Sequence, residues 1–134
     1  MDTLETTQNM SSSYMEAQII PLGKPRMTQR DRWKKRPVVL RYHDYADRLR
    51  KEADKQNFLL GPKLEIQFWM PMPPSWSKKK RLEHLFKPHK QRPDLDNLIK
   101  AVQDILLKED SAVWYVTATK RWSENGKLVI FNLK

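Results

Sequence analysis

The sequence predicts an α/β (α+β) domain, a small mixed β-sheet with helices packed against it, on three observations. Apolar residues recur at helical spacing in two segments and alternate at strand spacing in others, with turn-forming residues between them. The resulting order, β-α-β-(α)-α-β-β, interleaves strands and helices in the manner of a layered sheet. A length of 134 residues with 39% hydrophobic content suits one core, expected over 14–134 behind a polar, flexible leader at 1–13.

Residues 14–21, Tyr-Met-Glu-Ala-Gln-Ile-Ile-Pro, read as a first strand stopped by proline. The basic stretch 22–37, punctuated by Pro25 and Pro37, reads as a long loop. Leu40, Tyr45, Leu49, Ala53 and Gln56 predict a helix over 40–57, ended by Gly61-Pro62. Residues 64–69 alternate as a strand, which Pro71, Pro73 and Pro74 prevent from continuing. A short helix is expected within 78–86. The clearest helix is 96–107, where Leu98, Ala101, Val102, Ile105 and Leu106 make one apolar stripe and a carboxylate precedes the first turn. Strands at 112–119 and 127–133 follow, separated by a Ser123-Glu124-Asn125-Gly126 turn. Trp69, Trp114, Phe68 and Phe131 fall in strands and are expected in the core.

The formal charge is +10, and it is unevenly spread. Residues 24–41 hold eight Lys or Arg against Asp31, and residues 76–92 hold seven against Glu83, which leaves the remainder net acidic. Local concentration of this kind favours a polyanion-binding surface over a generally solubilised one. Trp33 and Trp76 lie within these stretches, where an aromatic ring can stack on an unpaired base. The absence of cysteine excludes disulfides, thiolate metal sites and a cysteine nucleophile. His43, His84 and His89 lack ligand spacing, so zinc is not expected. No Gly-rich phosphate loop or nucleophile elbow is present, no apolar run suits a bilayer span, and the expected location is the cytoplasm.

Chemistry concentrates in Arg92-Pro93-Asp94-Leu95-Asp96-Asn97-Leu98-Ile99-Lys100. Two carboxylates two residues apart stand where a Pro-led segment becomes a helix, and Asp96, Lys100 and Asp104 follow at four-residue intervals on one face. Paired acids suit a hard cation such as Mg²⁺, which takes oxygen ligands and substrate phosphate. A lysine one turn along can neutralise the phosphate or orient water. A purely structural reading also fits these residues: Asp94 and Asp96 as caps, with Lys100 pairing to Asp96 or Asp104. Lys120 and Arg121 are read equally as phosphate contacts or as an ordinary strand end.

The segment resembles the RusA family of Holliday junction resolvases, small endodeoxyribonucleases often carried by phages and prophages. The resemblance rests on R-P-D-L-D-N-L-I-K-A-x-x-D-I-L at 92–106, D-S-A-V at 110–113 and Lys120, and more loosely on the first strand with K-P-R at 24–26. It implies a mixed α/β fold, a homodimer, Mg²⁺ as cofactor with Mn²⁺ able to substitute, and paired nicks across four-way junction DNA in recombination and repair. Residue by residue, it implies Asp94 and Asp96 as the first two catalytic, metal-holding acids, Lys100 as the catalytic lysine, Asp110 as the third acid and Asp104 as support. The connection after the helix is shorter than is usual in the family, and Glu109-Asp110 stands where paired aspartates are common; Asp110 is preferred. Charge assigns Lys24, Arg26, Lys78, Lys79, Lys80, Arg81, Arg92 and Lys120 to DNA. The competing readings are a non-catalytic basic DNA-binding module and a metal-dependent nuclease for forks or flaps.

Overall fold

The computed structural model describes residues 12–26, 36–107 and 110–134, with Asp110 described by its backbone alone. Most of the expected leader, Trp33 and Glu109 therefore lie outside the described residues. The element order is β1 (Tyr14–Ala17), α1 (Pro37–Lys55), β2 (Lys63–Pro71), α2 (Lys78–His84), α3 (Leu95–Leu106), a 3-10 turn (Asp110–Ala112), β3 (Tyr115–Ser123) and β4 (Lys127–Asn132). The expected order is observed, but several boundaries move. The first helix begins at Pro37, whose fixed φ suits a first helical position. It buries Val39, Tyr42, Tyr45, Ala46, Leu49 and Ala53, while Leu40, expected in the stripe, is exposed. It ends in a Schellman arrangement, with Phe58 N donating to Ala53 O at 2.8 Å and Asn57 at φ 53°.

The last strands also differ from expectation. Residues 112–114 precede β3, which runs on to Ser123, because its register is set by pairing with β2 from Lys63↔Tyr115 to Pro71↔Ser123. Trp114 consequently falls outside the strand and is 71% exposed, whereas Phe68 is core as expected. Gly126 closes the turn into β4: a Cβ there would lie 2.7 Å from Ile20 Cα, so only glycine permits that approach.

The four strands form one sheet in the order β1-β4-β2-β3. β4 pairs antiparallel with both β1 and β2, whereas β2 and β3 are parallel. Parallel neighbours need a crossover, and the chain from β2 to β3 supplies it through α2 and α3. Alternation buries Leu64, Ile66, Phe68 and Met70 of β2 with Leu128 and Ile130 of β4. The buried stripes of α1 and α3 join this face in a single core. The outer edge of β1 is occupied by the Gln56 amide, which donates to Glu16 O at 2.8 Å and accepts from Glu16 N at 3.1 Å. Among the described residues no helix is long and apolar enough to cross a membrane.

Candidate active site

The crossover fixes which end of α3 meets which end of β3. Because α3 returns the chain to the start of β3, its N-terminus stands at the carboxyl ends of β2 and β3, the edge where open α/β sheets commonly bind ligands. The acid pair lies at that N-terminus.

Asp94 occupies the N-cap position with φ −69° and ψ 146°, yet its side chain makes no capping hydrogen bond. Only its backbone carbonyl takes part, accepting from Leu98 N at 3.1 Å. Asp96 sits in the first turn, where the helix dipole favours a negative charge, and its Oδ1 accepts from Asn97 N at 2.9 Å. Asp94, Asp96 and Lys100 are all exposed, and among the described residues none of them forms an ion pair. The structural alternative thus holds for Asp96, which takes a first-turn N–H, whereas Asp94 makes no side-chain cap and Lys100 pairs with neither Asp96 nor Asp104 among the described residues.

The face expected to carry Asp96, Lys100 and Asp104 together is divided. Asp104 Oδ2 pairs with Lys24 Nζ at 2.7 Å, the two side chains being 23% and 36% exposed. Asn97 Nδ2 donates to Lys24 O at 3.2 Å, and a Cβ on Gly23 would meet Asn97 Nδ2 at 2.3 Å. The Gly23-Lys24 segment is thus laid against α3 by one side-chain bond at each end of Lys24. Sequence reasoning misses the Asn97 clamp, although Asn97 stands inside the motif and Gly23 directly precedes K-P-R. Arg26, exposed at the end of this segment, accepts from Arg36 Nη2 through its carbonyl at 2.7 Å.

The basic excursion between β2 and α3 folds against β3. Phe86 N donates to Trp122 O, Trp122 N to Lys87 O, and His89 N to Lys120 O, at 2.9, 3.0 and 2.9 Å. Trp122 is 4% exposed and packs on Trp76 and His89 with ring centroids at 4.8 and 4.2 Å. Trp76 therefore serves the packing of this lobe, and Lys80 lies over its ring at 4.4 Å. Lys78, Lys79 and Lys80 are exposed, as is Arg92. Arg81 differs: its guanidinium donates to Pro73 O at 2.9 Å and pairs with Glu124 at 3.4 Å. Burial, and then the nearby Lys120 charge, lower the pKa of His89.

Lys120 turns toward the helix side of the sheet. Its Nζ donates to Gln91 O at 2.6 Å and Pro93 O at 2.7 Å, across the cis Arg92-Pro93 peptide. Its pKa is lowered by burial, against which the Asp94 carboxylate acts. From the sequence Lys120 reads equally as a phosphate contact or a strand end; the carbonyls it reaches are distant in sequence, and nothing local signals them.

Asp110 opens the 3-10 turn that follows the C-terminus of α3. Trp114 N, shortly after it, donates to Pro62 O at the start of β2. Asp110 is thus placed at the opposite end of α3 from Asp94 and Asp96. Among the described residues no three His, Asp or Glu side chains gather as a metal set.

Fold and site first define a class: an α+β domain with an exposed carboxylate pair at the carboxyl edge of its sheet, joined to a basic lobe that pairs with β3. The family model for endodeoxyribonuclease RusA matches residues 18–131, so the chain belongs to the RusA endodeoxyribonuclease family. Membership implies a junction-resolving endodeoxyribonuclease. No curated protein matches the sequence.

Proposed function

We propose that the protein is a Mg²⁺-dependent endodeoxyribonuclease that resolves four-way DNA junctions by paired nicks, as a homodimer acting in cytoplasmic recombination and repair. The observation that carries this reading is Asp94, which stands at an N-cap without capping and beside Asp96, leaving carboxylate oxygens open on the basic edge of the sheet. The donor set is all oxygen and exposed, which fits a hard ion that keeps several waters and shares phosphate ligands. A divalent ion bound there supplies Lewis-acid polarisation of the phosphate and a lower pKa for water. Asp94 and Asp96 would hold it, with Mn²⁺ able to substitute. Lys100, exposed and in no ion pair among the described residues, would stand one helical turn beyond Asp96 and meet the phosphate. Lys78, Lys79, Lys80, Arg92 and Arg26 would track the backbone, while Lys24, paired with Asp104, would hold the segment that leads to Arg26 against α3.

A third acid at Asp110 would reach the pair from a second chain. α3 has 12 residues and so spans about 18 Å, whereas Mg²⁺ holds its ligands at about 2.1 Å. Asp110 lies past the far end of that helix. In an isologous dimer the head of one α3 can face the tail of its partner's, so that each acid pair receives the third acid from the other copy. Two composite sites would then serve the two strands of a two-fold junction.

Incubation with Mg²⁺ and end-labelled four-way, forked and linear DNA tests the proposal. Symmetrically placed nicks in the junction are expected. Preferred cutting of forks would select the fork or flap nuclease, and tight binding without Mg²⁺-dependent cutting would select the non-catalytic module.

A further inference from the structure

The segment that delivers Asp94 to the site is weakly held by its own backbone. Pairing between residues 86–89 and β3 stops at the bond from His89 N to Lys120 O, and α3 begins at Leu95. Among the described residues, the only hydrogen bonds joining residues 90–93 to the sheet are the two made by Lys120 Nζ, to Gln91 O and Pro93 O. One amine therefore ties both sides of Arg92 to the sixth residue of β3, and Asp94 is the next residue along.

We infer that Lys120 is a positioning residue, which fixes the acid-bearing segment on β3 and so sets where the Asp94 carboxylate stands. An ammonium has three N–H donors, and two are already given to carbonyls. A phosphate contact would have to use the third or break the tether. The two roles predict different losses, because a tether acts on geometry at the acid pair and a phosphate contact acts on affinity and its salt dependence. The inference rests on the acid pair being the reaction site, as proposed above.

The test compares Lys120→Met and Lys120→Arg in the full chain. Loss of a residue that orients a metal ligand commonly costs about 10–100-fold in metal affinity or activity. For Lys120→Met, junction turnover should fall by about that factor with KM and the salt slope of junction binding unchanged. Mn²⁺ binding to the DNA-free protein, followed by calorimetry, should weaken. Simple loss of a positive charge beside Asp94 would instead tighten it, so the sign of the change separates the two effects. Lys120→Arg, which keeps donors at the same place, should recover part of the turnover. If Lys120→Met does not fold, Lys120→Gln takes its place with the same expectations.

Unchanged turnover, tighter Mn²⁺ binding, or a flatter salt slope with weaker junction affinity would each overturn the assignment while leaving the resolvase reading intact. Wild-type protein that neither binds Mn²⁺ nor cuts any junction would overturn both together.

Discussion

Subunit mixing tests the composite site directly. The perturbation uses two proteins that are each expected to be inactive: Asp94→Asn with Asp96→Asn in one chain, and Asp110→Asn in the other. If one chain supplied all three acids, no combination of the two would contain an intact site. If the acids meet across the dimer, a mixed dimer contains one site with the intact pair from one chain and the intact Asp110 from the other. The geometric basis is the length of α3, about 18 Å, set against a ligand shell of about 2.1 Å. Random reassortment of equal amounts makes about half the dimers mixed, each with one of two sites intact, so nicking should recover to roughly one quarter of the wild-type level. The recovered products should be single nicks, because the second site of each mixed dimer is doubly impaired. The assay is nicking of an end-labelled junction after the two proteins have exchanged subunits, with sedimentation confirming that both dimerise. Mixed dimers that remain as inactive as either parent would refute the reasoning.

Asp94→Asn with Asp96→Asn should reduce cleavage by orders of magnitude while junction binding persists, and because Asp94 does not cap, Tm should move by no more than about 3 °C. Cleavage at the wild-type rate by this protein would remove the pair from the active site. Replacing Lys78, Lys79 and Lys80 with alanine should flatten the salt slope of binding by about 0.9 for each phosphate that is no longer neutralised. Arg81→Ala should instead lower stability with little effect on that slope, since its guanidinium is bonded to Pro73 O and Glu124. Buried His89 has a lowered pKa, so the unfolded chain takes up that proton first; stability is then full above about pH 6.5 and falls as pH drops through it. His89→Phe should reduce this acid sensitivity in Tm measured across the range, and an identical pH profile in the two proteins would count against it. Gly23→Ala should push Asn97 off Lys24 O and cost about 1 kcal/mol, and an unchanged denaturant midpoint would show that the crowding is relieved elsewhere.

What the sequence could show was local. The apolar stripe of α3, the alternation in β2 and the turn at Gly126 repeat over one or two turns or a few residues, so period and turn chemistry suffice to read them. The motif was legible for the same reason: Asp94 and Asp96 stand together at the start of α3, and Lys100 lies one turn along the same helix. The sequence puts the start of β3 too early because residues 112–114 look apolar enough for a strand, while pairing with β2 decides where the ladder begins. Asp104 follows Lys100 at helical spacing, yet Lys24, 80 residues earlier, takes it into an ion pair.

Tertiary structure alone decided the rest. The last strand enters the sheet between β1 and β2, leaving β3 on an edge where the basic lobe can pair with it. Parallel pairing of β2 and β3 forces α3 to run back along the sheet, and that direction puts the acid pair at one end and Asp110 at the other. It also carries Lys120 to the carbonyls on either side of Arg92. Residue types and their helical spacing are written in the chain, but long-range pairing sets which ends meet, because backbone hydrogen bonds carry no residue label that a sequence displays.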